Sequence, residues 1–162
     1  MNRQILEQDG FGGFVTVGQL KKKIDVVPKE QGVYAVLYTK ETEPEFLQRG
    51  TGGFFKGEDP NVPISELKAN WVDGADIVYV GKAGGEGNKA TLRSRLSQFM
   101  KFGSGKPVGH KGGCFIWQLA DADKLVVCWK VLGTDPREFE RQMISDFKTA
   151  HGGKRPFANR QG

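Results

Sequence analysis

An α+β domain, built on a small, mainly antiparallel β-sheet flanked by helices, is what this sequence predicts. Three observations lead there. Two short runs rich in β-branched and aromatic residues, 33–39 and 77–81, read as strands. Residues 90–102 and the segment after Asp135 carry helical periodicity. Glycine, at 23 of 162 residues, is about twice its usual ~7% share. It clusters at 10–13, 50–57, 84–87, 103–113 and 152–153, cutting the chain into short elements. The length fits one domain spanning residues 1–162.

Taken in order, residues 18–25 predict a short basic helix after Phe14-Val15-Thr16-Val17. Gly32 opens the first strand. A polar, glycine-rich stretch follows from Lys40 to about Gly74, with helical content expected around 64–71. Ile77 to Gly81 forms the second strand. In the next helix Leu92, Leu96, Phe99, Met100 and Phe102 fall on one arc. Segments 114–119 and 125–132 predict a hairpin around Asp121-Ala122-Asp123-Lys124, which sets Trp117 opposite Cys128. The last helix starts at an Asp135 cap with Pro136 in its first position and Glu138 completing a capping box. Its expected core stripe is Phe139, Met143, Phe147 and Ala150, and Gly152-Gly153 ends it.

Composition narrows the function classes. The longest apolar run, Val33 to Tyr38, is far short of the roughly 18 residues that span a bilayer. The N-terminal segment carries Glu7 and Asp9 and no apolar signal-like core, so a soluble, cytoplasmic protein is expected. Cys114 and Cys128 fit neither a disulfide framework nor a zinc cluster. The net charge is +5, yet residues 82–111 alone hold seven cations against Glu86. Such a basic segment is either a solvated face or the footprint of a nucleic-acid partner.

Several residues stand out chemically. Tyr34 and Tyr79 occupy strands in matching glycine-flanked settings, Gly32-Val33-Tyr34 and Tyr79-Val80-Gly81. Arg95 lies within the apolar arc of its helix, where it either snorkels or aims a planar guanidinium at a phosphate. Glu140 shares a face with Ile144 and Phe147 at the border of a core stripe. A carboxylate there needs an arginine, a backbone donor or a divalent ion.

In this order the pieces resemble the GIY-YIG nuclease family. Gly32-Val33-Tyr34 matches its first signature and Tyr79-Val80-Gly81 its second. Arg95 in Leu92-Arg93-Ser94-Arg95-Leu96 matches its arginine, Glu140 in Glu140-Arg141-Gln142-Met143-Ile144 its glutamate, and Asn159 its terminal asparagine. The run Tyr79 to Ala83 followed by Arg95 to Phe99 is most similar in wording to the nuclease domain of the bacterial excision-repair nuclease subunit. The two tyrosine motifs normally lie close together, so residues 40–74 read as an insertion. Phe99 stands where members often carry His or Tyr, and His110 is the candidate replacement.

The resemblance implies a metal-dependent endonuclease that hydrolyses phosphodiester bonds in DNA, whether branched, flap-bearing or damaged, or in RNA. It implies that Glu140 holds Mg²⁺ or Mn²⁺ and that Tyr34 or Tyr79, its pKa lowered by nearby cations, takes the proton of the attacking water. Arg95 would balance phosphoryl charge, and Asn159 would orient the substrate or a tyrosine hydroxyl. Lys82, Lys89, Arg93 and Lys111 would follow the nucleic-acid backbone. Two other readings stay open: a binding domain that lost turnover, which Phe99 favours, and an interaction domain that displays Phe54, Phe55 and Trp71 from the 40–74 stretch.

Overall fold

A computed structural model describes residues 2–54, 56–108 and 113–160. Helix α1 (Arg3–Gln8) leads into strand β1 (Gly12–Thr16), helix α2 (Val17–Lys22) and strand β2 (Gly32–Leu37). Helix α3 (Ile64–Asn70), strand β3 (Ile77–Ala83), helix α4 (Leu92–Gly103), strand β4 (Val126–Val131) and helix α5 (Pro136–Ala150) follow. The four strands form one antiparallel sheet in the order β1-β4-β2-β3. The architecture is α+β, as the element pattern predicts. None of the helices is long and apolar enough to cross a membrane among the described residues.

The sheet separates two apolar layers. On one face Tyr34, Val36, Val127 and Trp129 meet Leu20 of α2 and Leu92, Leu96 and Phe99 of α4. On the other, Val33, Ala35, Val80 and Cys128 meet Leu6 of α1 and Met143, Ile144 and Phe147 of α5. Alternation along β2 assigns each residue to its layer, as a period of two demands.

Thr91 caps α4 in a reciprocal box with Ser94, and every residue of the predicted apolar arc is buried. The arc ends up against the sheet because it is the helix's one wide apolar face.

The structure corrects three expectations here. The 114–132 hairpin does not form: Cys114–Gln118 is a 3-10 turn, and β4 pairs with β1 and β2 instead. A strand made of Gly12-Gly13-Phe14-Val15-Thr16, with its bulge between Gly13 and Val15, supplies the partner that the hairpin lacked. Asp135 caps α5 by accepting from the Arg137 N–H, but Glu138 pairs outward with Arg141 rather than closing the box. The buried stripe of α5 contains Ile144, while Ala150 is exposed past the end of the sheet. Both cysteines are buried and form no disulfide.

The 40–74 segment is folded onto the 3-10 turn rather than splayed outward. Gln118, 2% exposed, binds it from both ends of its amide. Its Oε1 accepts from the Val62 N–H, and its Nε2 donates to the Leu47 and Val62 carbonyls. Trp71 is half-buried and packs edge-on against Tyr38, Phe46 and Phe157, so part of the expected docking surface turns inward; Phe54 stays exposed, and Phe55 lies outside the described residues.

Candidate functional site at the β3 edge

Strand β3 lies at the sheet's border, with β2 on one side and unpaired backbone on the other. Open edges invite pairing. Here the C-terminal tail occupies it: the Ala158 N–H donates to the Val78 carbonyl at 2.8 Å. The Asn159 amide accepts from the Val80 N–H and donates to the Val80 carbonyl, both at 2.9 Å. Buried Phe157 anchors the tail against Phe46, Trp71 and Phe115.

This corrects the expectation for Asn159. Both ends of its amide are engaged with Val80, so it acts as a clip on the edge strand rather than as a group turned toward a substrate or a phenol.

Tyr34 and Tyr79 come together across the β2–β3 pair, their ring centroids 6.0 Å apart. The register sets Tyr34 opposite Gly81 and Val36 opposite Tyr79, so both tyrosines rise on the α4 side of the sheet. Tyr79 continues into Phe99, 5.7 Å away, and Phe99 into Trp117, 4.9 Å away. Phe99 is thus a fully buried link in an aromatic row.

Burial dominates the electrostatics of the phenols. Desolvation pushes Tyr34 up to about 12, against smaller downward pulls from Arg95 and from the hydroxyl contact with Tyr79; Glu140 adds a smaller upward push. Tyr79 is also raised, chiefly by desolvation, with Tyr34 and Glu140 adding and Arg95 opposing. The expectation that cations lower a tyrosine pKa is therefore reversed: Arg95 pulls in that direction, but removal from water outweighs it. Both phenols are proton-bearing at neutral pH.

Two charged groups on flanking helices also act on the phenols. Arg95 acts on both tyrosines from α4, half-exposed, with Nη1 donating to Gln98 Oε1 at 3.2 Å. Glu140 acts on both from α5 and lines a cleft with Tyr79, Val80 and Asn159. Partial burial raises the Glu140 carboxyl above the usual carboxylate range, and Lys82, on the α5 side of β3, pulls it back down. Glu140 has no hydrogen bond or ion pair among the described residues.

Tyr34, Tyr79, Arg95, Glu140 and Lys82 are thus brought within one electrostatic environment. Other predicted residues are elsewhere. Arg93 donates from Nε to the Val27 carbonyl at 2.7 Å and from Nη2 to the Asp25 carbonyl at 2.8 Å. Its fork ties α4 to the turn after α2, which removes it from the expected phosphate contacts. Lys89 is exposed in the loop before α4. His110 and Lys111 lie outside the described residues.

Sequence reasoning missed the cations that line the cleft: Arg137, Arg141, Lys148 and Arg160. The signal is present in the helical spacing of the first three around Glu140, outside the 82–111 charge excess.

The class defined by this fold and site is an α+β domain whose edge strand, last helix and clipped tail enclose a half-open cleft of about 1190 Å³. Comparison of the chain with protein-family models, with curated proteins and with solved structures returns no match.

Proposed function

We propose that the protein is a metal-dependent endonuclease of GIY-YIG type, cleaving phosphodiester bonds in DNA. The observation that carries this reading is the Tyr34–Tyr79 pair, ring centroids 6.0 Å apart, beside a cleft that Tyr79 and Glu140 line together. A phosphate in that cleft would meet the Tyr79 phenol and the Glu140 carboxylate, with Tyr34 buried behind Tyr79.

The residues present fit Mg²⁺ or Mn²⁺. Among the described residues there is no cluster of three or more His, Cys, Asp or Glu. Magnesium does not need one, since one or two carboxylates complete its shell with waters and substrate phosphates. A half-buried Glu140 without a hydrogen-bond or ion-pair partner among the described residues, lining a cleft, is such a carboxylate. When bound there, the ion would polarise the phosphoryl group and acidify a bound water.

The chain supplies the rest. Tyr34 and Tyr79 keep their protons, so their role in this reading is to donate and relay hydrogen bonds at the phosphate and the attacking water. A buried phenol accepts the water's proton only transiently, as it passes its own on. Arg95 offsets the charge that grows on the phosphoryl oxygens, and its planar fork suits two oxygens at once. Lys82 opposes the upward push of burial on the Glu140 carboxyl and so favours its ionised form. Asn159 acts through Val80, holding the strand that bears Tyr79 against the tail.

A plasmid-nicking assay with Mg²⁺ and with Mn²⁺ tests the reading. Arg95→Ala and Glu140→Gln are expected to lose at least about a hundredfold in rate. Unchanged cleavage by either variant removes that residue from the mechanism. The alternative, a binding domain without turnover, draws on Phe99: it is buried between Tyr79 and Trp117 and offers no titratable group. Salt-sensitive DNA binding with no metal-dependent product selects that alternative.

A further inference from the structure

The cleft beside Glu140 holds a row of cations for which hydrolysis at one phosphate does not account. Arg137, Arg141 and Lys148 line it from α5 and Arg160 from the tail, and Glu140 is the one anion among its lining residues. The three helical cations stand at positions i, i+4 and i+11, a single face. At 1.5 Å per residue they extend over about 16 Å.

Two of them are readily available. Arg137 is exposed, and Arg141 pairs only with Glu138, whose side chain is 76% exposed beside its own 67%. Such a surface pair exchanges partners at little cost. Arg160 is held differently. Its guanidinium sits 5.2 Å over the Phe115 ring, and Nη1 donates toward Cys114 Sγ at 3.9 Å, while Arg155 donates to its carbonyl at 2.7 Å. It lines the cleft from the tail, with its guanidinium over the Phe115 ring.

The dimensions restrict the occupant. The volume exceeds the roughly 300–1,000 Å³ of small-molecule pockets. Spread along the stretch of α5 that lines it, about 18 Å at the α-helical rise, that volume corresponds to an open trough on the order of 10 Å across. One sugar–phosphate backbone fits that width. The two backbones of a duplex, separated by grooves roughly 6 and 12 Å wide, do not enter together.

We propose that the Arg137–Arg141–Lys148 row, together with Arg160, seats successive phosphates of one nucleic-acid strand and leads it past Glu140. The inference rests on the phosphodiester reading above and moves the principal backbone contacts from the 82–111 segment to α5. With one phosphate per 3.4 Å of axis in each strand, the row spans about five nucleotides. Contacts of this kind set register without reading sequence. The same backbone chemistry is presented by a free single strand and by one strand of a duplex.

Fluorescence anisotropy with labelled single-stranded and duplex DNA of mixed sequence, in EDTA and across a salt series, tests the row without any cleavage. The triple variant Arg137→Gln, Arg141→Gln, Lys148→Gln is compared with a Lys101→Gln, Lys106→Gln control, and circular dichroism checks that both fold. The expected result is a log–log salt slope shallower by about 2 to 3 in the triple variant, with the control at the wild-type value. A triple variant with the wild-type slope overturns the proposal, as does a control that loses as much. Tighter binding of the single strand, abolished in the triple variant, supports a free strand; tighter duplex binding, abolished in the same way, supports one strand of a duplex. Intact wild-type binding with no Mg²⁺- or Mn²⁺-dependent product would sink the nuclease reading and leave the row standing. Cleavage with an unaltered slope in the triple variant would do the reverse.

Discussion

The ring of Tyr34 lies so close across the backbone of Gly81 that a methyl group at position 81 would sit 2.3 Å from Cζ and 2.5 Å from the hydroxyl oxygen. Gly81 is therefore what lets the phenol of β2 lie over β3. Its φ is not in the left-handed region, so the requirement is space alone. Gly81→Ala is expected to displace the Tyr34 ring and to destabilise the fold by about 1–3 kcal/mol, in the range of core overpacking. Urea denaturation measures the loss. A Gly81→Ala protein as stable as the wild type would mean that the ring has room to move, and that its position is not fixed by this contact.

Burial of that phenol ties stability to alkaline pH. The Tyr34 pKa is raised to about 12 from the usual 10.0. A group with a raised folded-state pKa contributes its full share below the unfolded value and loses it as pH climbs through the folded one. The window is thus about pH 10 to 12, and the loss approaches about 3 kcal/mol across it. Tyr79 shifts in the same direction and adds to the effect. Urea midpoints taken stepwise over this range are expected to fall, and Tyr34→Phe is expected to flatten the decline. A wild-type midpoint that holds steady throughout would refute the account of both phenols as buried and proton-bearing.

Much of this was legible in the sequence because it depends on local pattern. The apolar arc of α4, the Asp135 cap and the two glycine-flanked tyrosines need only spacing and turn chemistry, and each of those elements stands where spacing put it. The strand at Gly12–Thr16 was not legible: two glycines and a bulge hide its alternation, and only the long-range pairing with β4 makes it a strand. The same pairing withdrew β4 from the expected hairpin, a tertiary partner overriding a plausible local turn. The sign of the tyrosine pKa shifts was equally hidden, because a helical wheel locates Arg95 and Glu140 but cannot tell how much water the phenols lose. Asn159 was visible as a motif residue, yet its bonds to Val80 depend on the tail reaching the sheet edge.

Glu140 predicts a conflict between stability and chemistry. Partial burial without a hydrogen-bond partner raises its pKa, so its ionised form costs the folded state something at neutral pH. With a raised folded-state pKa, the metal-free protein gains stability relative to neutral pH as acid protonates this group. Glu140→Gln removes the charge and keeps the shape, and its thermal midpoint without metal is expected to exceed that of the wild type. Mg²⁺ at about 100 times its Kd should stabilise the wild type by about 2.7 kcal/mol and leave Glu140→Gln unmoved. Equal stabilisation of the two proteins by the ion would take the metal away from this carboxylate.

Asn159 clips the sheet edge through its side-chain amide. Its amide replaces a neighbouring strand, satisfying the Val80 N–H and carbonyl at once, each at 2.9 Å. Asn159→Leu leaves both backbone groups of a largely buried edge without a partner, at an expected cost of about 1–3 kcal/mol for each group that water does not reach. Asn159→Asp keeps an acceptor for the Val80 N–H but turns a carboxylate oxygen toward the Val80 carbonyl, so it is expected to fall between the wild type and Asn159→Leu. Hydrogen exchange at the Val80 amide reads the clip directly, since that proton should exchange faster in Asn159→Leu while amides in the β2–β4 pairing keep their protection. If Val80 exchange is unchanged in Asn159→Leu, the tail covers the edge by the packing of Phe157 alone, and the asparagine regains freedom to face a substrate.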